Sequence, residues 1–240
     1  MLILAVDSAT QVAGVALVAR DRVIREEFIN FRRNHSEILM PQIDRVMKES
    51  QCDWAQITAL AVTAGPGSFT GLRIGMATVK GLSLATGLPI AAIPTLDVLA
   101  HNLAGSHALV AALLDARRQE VYFSCYDVQE RYPLGLLPMM ACSPQKAALE
   151  IDALLEITGR GKVILVGDGV PPYQDYFVDF FAERLLPVSP HLMLSRAAAL
   201  GSLAWRAADA QKLEDGLNVK PLYIRLSEAE YRLEKGVRAQ

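Results

Sequence analysis

Cysteine is scarce in this sequence: Cys52, Cys125 and Cys142 are the only three in 240 residues, and none forms a C-x-x-C pair. That spacing excludes a disulfide framework or zinc knuckle and points to buried thiols in a reducing compartment. Histidine is nearly as rare. His35, His101, His107 and His191 include no i, i+4 pair, so no helical metal site is spelled out, and the expectation is no metal. Charge is thin too, at 21% of residues, with 24 basic side chains against 26 acidic ones and a formal net charge of −2. A chain that grips nucleic acid unaided needs clustered Lys and Arg; here they are spread along the sequence, so any RNA role would need help. No apolar run reaches membrane length. The opening MLILAV meets Asp7 with no basic flank and reads as a strand rather than a leader peptide, so the expected location is the cytoplasm.

What is abundant is hydrophobic residue, 52% of the chain, enough for one large domain or two modest ones sharing a cleft. Residues 2–29 read as an antiparallel meander of three strands broken at Asp7–Thr10 and Arg20–Arg22. NHSEILMPQIDRVMKES follows as a helix capped by Ser36, and ITALAVTAG as a buried strand. After the glycine-rich AGPGSFTGLRIG comes a helix from about Thr70 to Thr86, a short strand PIAAI, and a helix capped by Thr95 that stops at Gly105. There the pattern restarts. HALVAALLDARRQEVYFSCYDV is again two apolar strands around a polar turn, followed by a helix (SPQKAALEIDALLEIT) and a strand (KVILVGDGV). The expected division is therefore a first lobe, residues 1–105, and a second, 106–240, which ends in the helix LSRAAALGSLAWRAADAQKL, a short strand PLYIRL and a charged tail.

A duplicated hairpin-first plan with an acid in the first hairpin is what a two-lobed nucleotide-binding fold would show. Asp7, Ser8 and Thr10 either form a vestigial phosphate loop or merely turn a hairpin. The second hairpin, Asp115-Ala116-Arg117-Arg118-Gln119-Glu120, puts bulk where close backbone approach needs glycine, and Gly167-Asp168-Gly169 inserts a carboxylate into a candidate adenosine turn. No catalytic residue is assigned. A magnesium- and ATP-dependent phosphotransferase using Asp7 and Asp168 stands as the alternative reading. Ser68 in GPGSFTG lacks the context of a nucleophile elbow, which leaves a peptidase unsupported, and Leu72-Arg73 replaces the Lys-Ser/Thr of a Walker loop. The helix behind that loop is apolar nearly all round, with only Arg73 and Lys80 charged between Gly71 and Thr86. Such a helix must be covered nearly all round, and Gly75 and Gly81 inside it suggest close approach by another backbone.

LAVDSATQVAGVAL, NHSEILMP, AVTAGPGSFTGLRIGMATVKGLSLATGLP and LLDARRQEVYF together resemble the TsaB (YeaZ) family, with GPGSFTGLRIG the most specific element. The resemblance implies a two-lobed α/β fold of the actin-like ATPase class, similar to sugar kinases and chaperones, with duplicated RNase H-like lobes. It implies a non-catalytic scaffold that dimerises with TsaD, the subunit that threonylcarbamoylates the adenosine next to the anticodon of tRNAs reading codons that begin with A. TsaE joins through that complex, tRNA is met only indirectly, and a homodimer forms where TsaD is missing. The implied interface is a four-helix bundle, mapping here onto Leu39, Met40, Ile43 and Met47 and onto Leu72, Gly75, Met76 and Val79. No cofactor is implied for this chain alone, with ATP or ADP possible at the seam of the complex.

Overall fold

The computed structural model describes residues 1–30 and 34–225. Strands β1 (Leu2–Asp7), β2 (Val12–Val18) and β3 (Val23–Asn30) form the antiparallel meander. Strands β4 (Ile57–Gly65) and β5 (Ile90–Pro94) add in parallel on the far side of β1, giving the order β3-β2-β1-β4-β5. Strands β1, β2 and β4 are buried on both faces, which is why they read as continuous apolar runs; β3, at the edge, carries VIREEFIN and is partly exposed. On one face Leu4, Val6, Val15, Leu60 and Val62 pack against α1 (His35–Glu49) and α2 (Phe69–Thr86).

The second sheet repeats the plan. Strands β6 (Leu109–Asp115) and β7 (Val121–Asp127) make the hairpin, and β10 (Val163–Val166) lies parallel to β6 as β4 does to β1. The short strands β8 (Leu134–Gly135) and β9 (Met140–Cys142) both pair with β7. Helices α4 (Pro144–Thr158) and α5 (Gln174–Phe181) cover one face and α3 (Thr95–His101) the other. Among the described residues no helix is long and apolar enough to cross a membrane.

The last helix corrects the expected division. Helix α6 (Ala197–Asp209) does not stay with the second sheet; Ala197, Leu200, Leu203, Ala204 and Trp205 pack on Ile3, Ala5, Ala16 and Ala61 of the first. Its small residues are the reason: Gly201 lies so close to Val18 that a Cβ would fall 2.5 Å from it. Helices α3 and α6 thus form the layer between the sheets, joined by His101 Nε2 and Ser202 Oγ at 3.0 Å. Desolvation, with Arg131 and Arg206 nearby, pushes the His101 imidazole down to about 4, so it serves this seam as a neutral ring.

Three local expectations also change. Helix α1 starts at His35 behind Asn34, so Ser36 is not its cap. Thr95 is the first residue of α3 rather than its cap. Pro221–Arg225 forms no strand, because both edges of β4 are already taken by β1 and β5; the Leu222 N–H makes one bond to the Ala64 carbonyl (2.7 Å). Leu226 and the charged tail lie outside the described residues.

Candidate functional site

The first hairpin brings Asp7 to the end of β1, fully buried. Its Oδ1 accepts from the Ala9 N–H (3.0 Å) and the Thr63 hydroxyl (2.8 Å), and its Oδ2 from the Ser195 hydroxyl, 188 residues away. Burial pushes this carboxyl above its ordinary value, and the three donors pull against that shift. Ser8, equally sealed, donates to the Gly71 carbonyl (2.9 Å). Thr10 is half-buried; its hydroxyl accepts from the Val12 N–H (3.2 Å), and its carbonyl takes the His35 ring nitrogen at 2.9 Å. The expected phosphate loop is therefore occupied from within: Asp7 and Ser8 direct their polar atoms at the chain itself, and only Thr10 faces open space.

The glycine-rich loop tells the same story. A Cβ at Gly67 would fall 2.2 Å from the Ala9 carbonyl, one at Gly71 2.1 Å from the Ser8 carbonyl, and one at Gly75 2.3 Å from Ser8 Oγ. The Ser68 N–H donates to that Ala9 carbonyl (2.7 Å), and the Ser68 hydroxyl caps α2 by accepting from the Gly71 N–H (3.2 Å). The space these glycines leave is filled by the β1–β2 turn, where a phosphate cradle would leave it vacant. Gly167 is the counterpart in the second lobe: at φ +109 its Cβ would lie 2.1 Å from the Leu113 carbonyl. The Gly167-Asp168-Gly169 turn is thus a backbone contact with β6, and Asp168 Oδ1 accepts from the Asp115 N–H (3.0 Å).

Between the lobes lie two adjoining cavities, of about 890 and 1200 Å³, which share Thr10, Gln11, Leu114 and Asp168. The smaller has mainly apolar walls, among them Leu99, Leu165, Phe177 and Met193. The larger takes in the second hairpin, with Arg117 and Arg118, and the start of α2. Asp7 lines neither cavity and reaches the smaller one only through the Ser195 hydroxyl, whereas Asp168 lines both. Among the described residues, no three His, Cys, Asp or Glu side chains form a metal-holding group.

The residues proposed to meet a partner are mostly inside the molecule. Leu39, Ile43, Met47, Leu72, Gly75, Met76 and Val79 are buried by this chain's own sheet; Met40, 49% exposed, is the one that faces out. The correction follows from helix geometry. A helix lying on a sheet turns its bulkiest stripe inward, here Leu72, Met76 and Val79, each worth about 1.5–3 kcal/mol on burial. What α2 leaves outside is Ile74, Ala77, Gly81, Leu84 and Ala85, with Ile74 half-buried and the others exposed, and with exposed Thr70 and Arg73 at the start of the same helix. Leu84 is 67% exposed, and a Cβ at Gly81 would meet nothing within 4 Å. Lys80 turns back to the Val219 carbonyl (2.9 Å), and Arg73, lying over the Phe69 ring, is the cation at the start of this face. The spacing 74, 77, 81, 84/85 was visible in the sequence, but residue size alone had to separate the two faces.

Residues 23–232 match the family described as TsaD: tRNA N6-adenosine threonylcarbamoyltransferase. The tRNA threonylcarbamoyladenosine biosynthesis protein TsaB of Bacillus subtilis (strain 168) is 30% identical over 235 residues, 96% of each chain. The structure of YeaZ from Pseudomonas aeruginosa superposes with a TM-score of 0.78 at 28% identity, covering 92% of this chain and 99% of that one. A ROK hexokinase from Thermus thermophilus, at 13% identity and a TM-score of 0.50 over 87% of this chain and all of that one, shares the fold alone. The architecture is the expected actin-like, RNase H-related α/β class.

Proposed function

Because the chain belongs to the TsaB (YeaZ) family, we propose that it is a non-catalytic subunit that pairs with a TsaD-type transferase in the threonylcarbamoylation of tRNA adenosine. The names of its relatives indicate a role in tRNA threonylcarbamoyladenosine biosynthesis. The observation that carries the pairing is the outward face of α2. Ile74, Ala77, Gly81, Leu84 and Ala85 offer a smooth apolar strip with a glycine at its centre that nothing in this chain requires, and exposed Met40 stands on the neighbouring α1. Small residues let a second helix approach closely, and apolar area is what such an approach removes from water. Asp7 supports the non-catalytic half of the reading, since three of its roughly four acceptor positions are taken by Ala9, Thr63 and Ser195. In this scheme TsaE joins through the pair, any ATP or ADP sits at its seam, and the same strip closes a homodimer when the transferase is missing.

The test is co-elution with a TsaD-type protein on size exclusion. Ala77→Arg and Leu84→Glu, both on exposed positions, should abolish the heterodimer while leaving the melting temperature nearly unchanged. Undiminished co-elution of both variants would remove the interface. A charge at Met76 is unsuitable for this purpose, because Met76 is in the core and the lobe itself would fail.

A further inference from the structure

The β6–β7 turn carries three consecutive left-handed residues that are not glycine: Arg117 (φ 60°), Arg118 (φ 54°) and Gln119 (φ 60°). Each costs about 1–2 kcal/mol relative to right-handed backbone, so a run of three persists only where its surroundings impose it. The restraints are visible. The Arg117 N–H donates to Asp115 Oδ1 (2.8 Å), the Asp115 N–H to Asp168 Oδ1 (3.0 Å), and Ala116 and Glu120 close the turn by Ala116 N–H to Glu120 O and Glu120 N–H to Arg117 O, both 3.0 Å. Arg225 reaches over from the C-terminal segment to the Ala116 carbonyl (3.1 Å) and pairs with Glu120.

The conformation sets Arg117 and Arg118 along the larger cleft, which also takes in Arg73 of α2 and Arg225. Among the described residues, four guanidiniums line this cleft; Arg117 pairs with Asp115 and Arg225 with Glu120, while Asp115 and Asp168 also accept backbone N–H groups of the turn and its strand. Aromatic surface lies beside the charge. Phe69 and Tyr223, 38% and 42% exposed, have ring centroids 5.4 Å apart, and the Arg73 guanidinium lies 3.8 Å from the centre of the Phe69 ring.

We infer that this cleft binds a phosphodiester segment of single-stranded RNA, with Arg117 and Arg118 on its phosphates and the Phe69–Tyr223 pair beside a base; the inference rests on the reading that the chain serves a tRNA-modifying complex. Guanidiniums at the rim of an open cleft next to exposed rings are how extended RNA is held. An enclosed mononucleotide would instead need the backbone cradle, and here the glycines that could form it are filled by the β1–β2 turn. Arg117, whose side chain is 82% exposed although it touches Asp115 at 3.0 Å, reaches outward. A chain of net charge −2 holds RNA weakly by itself, so this cleft is one part of a surface completed by the partner.

The experiment measures binding of a labelled unmodified tRNA transcript by fluorescence anisotropy, with the chain alone at about 20 mM salt, where screening is weak, and with the chain paired to its transferase across a salt series. The variant is Arg117→Asn with Arg118→Asn, because asparagine tolerates the left-handed backbone. It should bind roughly tenfold more weakly, and the slope of log Kd against log salt should fall by about 1.4, two phosphate contacts at ~0.7 each. Its melting temperature and heterodimer formation should not change. Equal affinity and slope for variant and wild type, or no RNA binding by either form of the wild type, would overturn the inference. So would ATP that binds the isolated chain and displaces the RNA, because the cleft would then be a nucleotide site. Failure of the heterodimer to form counts against the pairing alone, and the low-salt comparison of the isolated chains then decides.

Discussion

At Asp7 one carboxylate takes three hydrogen bonds inside the fold, and the position that would hold a metal in a phosphotransferase becomes a fastening between β1, β4 and the segment leading into α6. Burial holds its pKa above the unfolded value. The contribution of this group to stability is therefore greatest below the unfolded pKa and declines as pH rises through the folded one. Asp7→Asn keeps an acceptor for Ala9 and Thr63 and presents a donor to the Ser195 hydroxyl. Urea unfolding should show the variant gaining on wild type as pH rises above about 4, the ordinary aspartate value, with tRNA modification by the complex unimpaired. Asp7→Ala strands three donors and should cost about 2–4 kcal/mol. A folded Asp7→Asn protein whose complex has lost activity would return a chemical role to this side chain. That Asp7 mattered was legible from its place in the hairpin. Its partner Ser195 was not, because nothing near residue 195 announces a bond spanning most of the chain.

Helix α2 has two kinds of internal glycine, and they make opposite predictions. Gly75 is pressed against Ser8 Oγ, whereas Gly81 faces open space. Gly81→Ala should therefore stabilise the isolated chain by about 1 kcal/mol, raising Tm by about 2–4 °C in calorimetry, while weakening binding to the transferase in titration calorimetry. A stabilised variant with unaltered affinity would show that the glycine leaves no room for a partner. The extent of this helix was readable from its apolar run, about Thr70 to Thr86; the structure adds the Ser68 cap and Gly87, which takes up φ +73 at its end. Its orientation was not. A helix apolar nearly all round gives no amphipathic signal, so buried Leu72, Gly75, Met76 and Val79 of α2 could be told from the outer strip only once the sheet beneath them was in place.

Across the whole molecule, the segment after α6 ties the lobes together. Leu222 bonds to Ala64 and the Tyr223 ring packs, tilted, against Phe69 in the first lobe, while Arg225 holds the second hairpin. Arg225→Ala should lower stability by only about 0.5–1.5 kcal/mol. The sharper effect should be faster hydrogen exchange at the amides of Ala116 and Glu120, and unchanged exchange there would deny the strap its part in holding the turn. Several features were settled by the letters alone: the hairpin-first plan repeated after Gly105, the continuous apolar strands, the approximate extent of α2, and the family that GPGSFTGLRIG marks. These depend on periodicity and turn chemistry over a few neighbouring residues, which a sequence states directly. Tertiary structure alone decided that Asp7 is sealed, that the loop glycines are filled by the β1–β2 turn, that α6 crosses to the first sheet, and that Arg117 and Arg118 share a cleft with Arg73. Each depends on which distant segments meet, and burial is a property of that meeting rather than of either segment.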